Sequence, residues 1–118
     1  MNNNFLKELK IRTNSCARTI KDLEYSKKEI ARQEERIRQY KEDPERDDHD
    51  VKKQIEVLSE LHAGVPTEVD QLDKYLSLLR EALEENKEDA DILATEEYQK
   101  AVSVEKQGAE VLEQYRPS

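Results

Sequence analysis

The sequence is short of turn formers, of thiols and of long apolar runs: two glycines, three prolines and one cysteine in 118 residues, with no apolar run longer than the three of Ile92-Leu93-Ala94. Each shortage excludes something. Without a longer run there is neither a membrane-spanning helix nor the apolar core of a secretory signal. A lone thiol, Cys16, cannot close an internal disulfide, so a reduced compartment, the cytoplasm, is expected. Apolar residues as a class are scarce too, at 35% against 41% charged, too few for a compact globule with a thick core. The balance of 20 basic and 28 acidic groups, net -8, argues against a general nucleic-acid backbone binder.

What is present is periodicity. Leu9, Cys16, Leu23, Ile30 and Ile37 recur every seven residues, with Thr13, Ile20, Lys27, Glu34 and Lys41 in the alternate seam positions, which is a helical repeat. The spacing predicts a first helix over about residues 5–42, with Glu8/Arg12, Glu24/Lys28 and Glu34/Arg38 placing opposite charges one turn apart. Pro44 stops it. Asp47 or Asp48 can then cap a second helix, and the short "EDPERDDHD" connection favours an antiparallel neighbour.

The second seam reads Val51, Ile55, Leu58, His62, Val65, Val69, Leu72, Leu76, Leu79, Leu83, and it keeps its phase across Gly64 and Pro66. An interior proline costs about 3 kcal/mol, whereas each buried Val or Leu returns about 1.5–3 kcal/mol. One kinked helix over about 48–86 is therefore expected, with a break at "HAGVPT" and Thr67 as a new cap as the alternative. Beyond it, residues 84–97 hold seven acids and one lysine. Thr95 then reads as the cap of a third helix, about 95–115, whose apolar stripe of Tyr98, Ala101, Val102, Leu112 and Tyr115 is diluted by Gly108. The expected fold is all-α: one domain over residues 1–118, an elongated antiparallel three-helix bundle with a proline kink in its second helix. A seam using two or three positions in seven needs only about 29 to 43% apolar residues, which this composition meets.

Several segments are specific beyond their periodicity. "YSKKEIARQEERIRQYKED", "DDHDVKKQIEVLSEL", the Val65-Pro66 pair and "TEEYQKAVSVEKQGAEVL" together resemble the tubulin-binding cofactor A family, in which Asp, an aliphatic residue and Lys-Lys-Gln lead into a proline-containing second helix. Here those places are taken by Asp50, Val51, Lys52, Lys53 and Gln54. The resemblance implies a three-helix bundle, associated with the cytoskeleton, that holds folding-competent β-tubulin on the route to αβ-tubulin dimers, with no cofactor and no enzymatic activity. It raises Tyr25, Gln33, Lys52, Lys53 and Gln54 as partner contacts. Tyr25 also lies opposite the first seam, where an aromatic ring has no core to fill.

Other readings of single residues are weaker. "DDHD" has the residue types of a metal site, but its neighbouring side chains point different ways, and capping explains them better. His62 would suit a phosphotransfer histidine only if exposed, and the seam assignment buries it. Cys16 reads as a small core residue. The rival class is a structural coiled-coil module that pairs with itself or with a scaffold; a monomer is expected instead.

Overall fold

The computed structural model describes residues 3–117, and every regular element in it is helical. Helix α1 spans Asn3–Glu42, α2 Asp48–Glu85, α3 Ala90–Leu93 and α4 Glu96–Gln114. Three helices are expected from the spacing; the additional one is a single turn inside the acidic connector. Asp89 accepts from the amides of Asp91 at 3.1 Å and Ile92 at 3.3 Å, capping that turn. Ile92 is fully buried and anchors it. Its apolar residues, Ile92, Leu93 and Ala94, are consecutive and set no helical period, so a pattern reading does not find the turn.

The chain divides into two compact units. Unit 1 comprises Met1–Lys21 and Val69–Ser118. Its core interleaves Leu9, Thr13, Cys16 and Ile20 of α1 with Leu72, Leu76, Leu79 and Ala82 of α2 and Ala101, Val104 and Val111 of α4. Each fully covered Leu contributes about 1.5–3 kcal/mol. Gly108 does not dilute the α4 stripe. It lets the helix come close: a Cβ there would stand 3.2 Å from Leu76 Cδ1 and 3.7 Å from Ile20 Cδ1. Val104 and Gly108 are buried, while Val102, expected in the stripe, is 45% exposed. Polar ties join the same helices. Arg12 Nη1 donates to the Leu78 carbonyl at 2.8 Å, and Arg80 pairs with Glu105 at 2.8 Å. Thr95 caps α4, its hydroxyl accepting from the Tyr98 amide at 3.1 Å and donating to the Ile92 carbonyl at 2.7 Å. Burial pushes the Cys16 thiol up to about 11, against the lowering influence of Arg80 and with the help of Glu105.

Unit 2, Asp22–Glu68, is a pair of helices joined by a tight turn. Asp47 and Asp50 cap reciprocally: Asp47 Oδ1 accepts from the Asp50 amide at 2.9 Å, and Asp50 Oδ2 from the Asp47 amide at 3.2 Å. Arg46 pairs with Asp43 and lays its guanidinium 4.3 Å from the Tyr40 ring centroid. The core is thin. Leu23, Gln33 and Ile37 are buried, but on α2 Val51, Leu58, Leu61 and Val65 are covered only in part.

The seam inside unit 2 differs from the strict seven-residue reading. Lys27, Glu34, Lys41, Ile55 and His62 are exposed; Ser26, Gln33, Gln54 and Leu61 are the covered ones. Leu23, Ile30, Ile37, Leu58 and Val65 keep their expected places, so only the alternate seam positions move by one residue. Burying Lys27 or Glu34 would strip a charge of water, whereas Ser26 and Gln33 find partners across the pair. The Ser26 hydroxyl donates to the Glu68 carboxylate, 2.9 Å from one oxygen and 3.0 Å from the other. The expected Glu34/Arg38 pair does not form either: Arg38 is held by Glu35 and Glu42.

Pro66 lies inside α2, which continues as helix on both sides, so there is no break at "HAGVPT". Pro66 and His62 are both exposed, so the His62 carbonyl that loses its helical donor can be met by water. That keeps the defect affordable beside the apolar packing of the flanking turns.

Candidate functional site

The five residues raised from the sequence all lie in unit 2, and the helix pair divides them into two kinds. Gln33 is only 5% exposed, and its side-chain amide donates to the Gln54 carbonyl at 2.8 Å and to Gln54 Oε1 at 3.0 Å. This clasp joins α1 to α2 and sets their register, because a buried amide without a partner would cost about 1–3 kcal/mol. Tyr25, Lys52 and Lys53 instead face outward, Tyr25 at 58% exposure. The Ser26–Glu68 and Gln33–Gln54 bonds define which residues are level across the antiparallel pair. Tyr25 is therefore level with the end of unit 2 at Glu68, and Lys52 and Lys53 lie beyond Gln33 toward the turn. The structure does not gather the three into one cluster: roughly ten residues of α1, about 15 Å, separate their levels.

The Tyr25 hydroxyl bonds to the Glu29 carboxylate, whose charge holds the phenol above its usual range. From Glu29 the same side of α1 continues through Arg32 and Arg36, at helical steps of three and four. These residues and Gln33 meet Val57 and Leu61 of α2 along an open groove of about 280 Å³. Val57 is 40% exposed. The sequence reading missed this groove because it spent Leu58 and His62 on the seam; the i, i+4 pair Val57 and Leu61 flanking that seam was the signal that could have found it.

His49 and His62 are exposed, and His62 does not occupy the seam position assigned to it. Asp47 and Asp50 are engaged with backbone amides. Among the described residues no group of three or more His, Cys, Asp or Glu could hold a metal ion, and no helix is long and apolar enough to cross a membrane. The arrangement offers a protein partner apolar and cationic side chains along two adjacent helices.

Residues 4–104 match the sequence profile described as "Tubulin binding cofactor A". The chain belongs to the tubulin binding cofactor A family. Membership is supported by a curated relative, "Tubulin-specific chaperone A" of Dictyostelium discoideum, 36% identical over 85 residues that make up 72% of this chain and 75% of the relative. A solved cofactor A family structure, "Crystal Structure of tubulin folding cofactor A from Arabidopsis thaliana", superposes with a TM-score of 0.83 at 26% identity, covering 92% of this chain and 99% of that one. All four long-range polar ties between helices described above fall within or next to the matched span.

Proposed function

We propose that this chain is a non-enzymatic tubulin-folding cofactor that captures folding-competent β-tubulin by non-covalent contact and stabilises it on the route to the αβ heterodimer. Membership of the cofactor A family carries the reading. The outward apolar, aromatic and cationic side chains of unit 2 support it, because exposed groups spread along two helices suit a protein partner better than a small ligand. In this proposal the chain acts as one domain and as a monomer in the cytoplasm, among the components that build the cytoskeleton, and α2 bends at Pro66, where one helical hydrogen bond is lost.

Tyr25, Lys52 and Lys53 are proposed as client contacts. Gln33 and Gln54 serve the client by holding the two helices in register. Immobilised protein should retain β-tubulin from a mixture of folding intermediates and leave α-tubulin behind. Equal retention of both, or of neither, removes the assignment. Reversing charge at Lys52 and Lys53 should weaken capture while helicity measured by circular dichroism stays the same; unchanged capture strikes these lysines from the contact surface. Solution mass separates this reading from self-association, which requires a species of twice the chain mass at working concentration.

A further inference from the structure

We propose that the groove between α1 and α2 in unit 2 seats an acidic segment of the client that carries aliphatic side chains, with Arg32 and Arg36 taking its carboxylates and Val57 and Leu61 its apolar groups. The proposal deepens the function proposed above and rests on it only for the identity of the client.

Packing supplies the first half of the argument. Unit 2 has two helices, so each apolar stripe meets a single neighbour. Its α2 side consequently holds Leu58, Leu61 and Val65 half-covered and leaves Val57 40% exposed. In unit 1, by contrast, Leu72, Leu76 and Leu79 of the same helix have no exposed surface, because α4 belongs to that unit. The groove lined by Val57 and Leu61 is thus an apolar stripe with room for one more segment beside it.

Charge selects what enters. Other arginines of this stretch are already satisfied: Arg38 by Glu35 and Glu42, Arg46 by Asp43. Arg32 and Arg36, one turn apart on the groove wall, make no ion pair and no hydrogen bond with any described residue. Glu29, which also lines the groove, is engaged by the Tyr25 hydroxyl. Two unpaired guanidinium forks one turn apart match carboxylates spaced by one helical turn or two extended residues, and each fork can bind a carboxylate through two parallel hydrogen bonds. A second copy of this chain fits poorly, since a two-fold pairing of this face would set the same arginines of both copies into one interface.

The test uses the full chain and two probes. The first is a short synthetic helical peptide with Glu and Leu one turn apart, beside the same peptide with Lys in place of Glu. Backbone amide chemical shifts should move around Arg32, Arg36, Val57 and Leu61 with the Glu peptide and not with the Lys peptide. The response should weaken at least about tenfold in Arg32→Glu/Arg36→Glu, while the control Lys10→Glu/Lys100→Glu binds normally. Because both arginines are exposed, neither variant should lose helicity; Val57→Ser provides an independent, uncharged change that should also weaken binding. The second probe is β-tubulin, which should displace the Glu peptide. Shifts elsewhere, shifts that survive the double variant, or doubling of solution mass without peptide binding overturn the proposal. Full capture of β-tubulin by Arg32→Glu/Arg36→Glu overturns it too while leaving the tubulin reading intact. A peptide that docks as predicted beside a chain that retains no β-tubulin keeps the groove and removes the tubulin reading.

Discussion

Helix α2 passes through two environments, and its side chains show what a third helix changes. In unit 1, Leu72, Leu76, Leu79 and Ala82 are at most 1% exposed, packed between α1 and α4. In unit 2, Val51, Leu58, Leu61 and Val65 belong to the same helix and the same kind of repeat, yet none is fully covered. The three-and-four spacing keeps its phase through both stretches, with His62 the one non-aliphatic residue in it. The difference lies in the number of neighbours: unit 1 covers its stripe completely, whereas unit 2 leaves apolar and cationic groups outside, and the proposed client contact would use that division.

The largest test of that division is a matched pair of truncations. Leu76→Ala should cost about 2–5 kcal/mol in urea denaturation, the range for emptying a fully packed site, and Leu58→Ala clearly less, because its site is already open to water. Equal losses would erase the contrast. Next in size is the alkaline behaviour of Cys16. Its thiol is raised from 9.0 to about 11 by burial, so the neutral form is favoured in the folded chain. The associated stability is complete below pH 9 and is lost as pH rises through about 11. Wild type should therefore lose up to about 2 kcal/mol more than Cys16→Ala between those limits, while thiol reagents react slowly at neutral pH. An identical alkaline profile would show that the unit 1 core is looser than its burial implies.

The two glycines sharpen the comparison at smaller scale. A Cβ at Gly64 meets nothing within 4 Å, so Gly64→Ala should gain about 0.5–1 kcal/mol from helix propensity alone. Gly108→Ala gains the same propensity but must displace Leu76 Cδ1 from 3.2 Å, so its thermal shift should be smaller than that of Gly64→Ala or reversed. Matching shifts would mean that α4 does not approach α2 closely in solution.

The same division explains which features could be read from the chain beforehand. Long helices with a regular stripe were legible: the Asp47 cap, the Thr95 cap and the continuity of α2 through Pro66 follow from residue type and spacing. Seam positions in unit 2 were not. Lys27, Glu34 and His62 satisfy a seven-residue template, but the template has no term for the cost of burying a charge, nor for partners such as Glu68 and Gln54 that reward Ser26 and Gln33 for moving in. Turn α3 escaped because one buried Ile92 sets no period. Of the candidate contacts, exposure of Tyr25 followed from its position opposite the stripe; the burial of Gln33 did not, since it depends on a partner 21 residues away. The Arg32 and Arg36 groove required knowing which acids had already claimed Arg38 and Arg46.

Residue-resolved amide hydrogen exchange, with and without β-tubulin, tests the division most directly. In the free chain, amides around Ser26 to Glu29 and His62 to Thr67 should exchange faster than those around Cys16 and Leu76, and added client should slow exchange chiefly between Asp22 and Glu68. Uniform protection of the free chain, or client protection concentrated on the unit 1 helices, would contradict it.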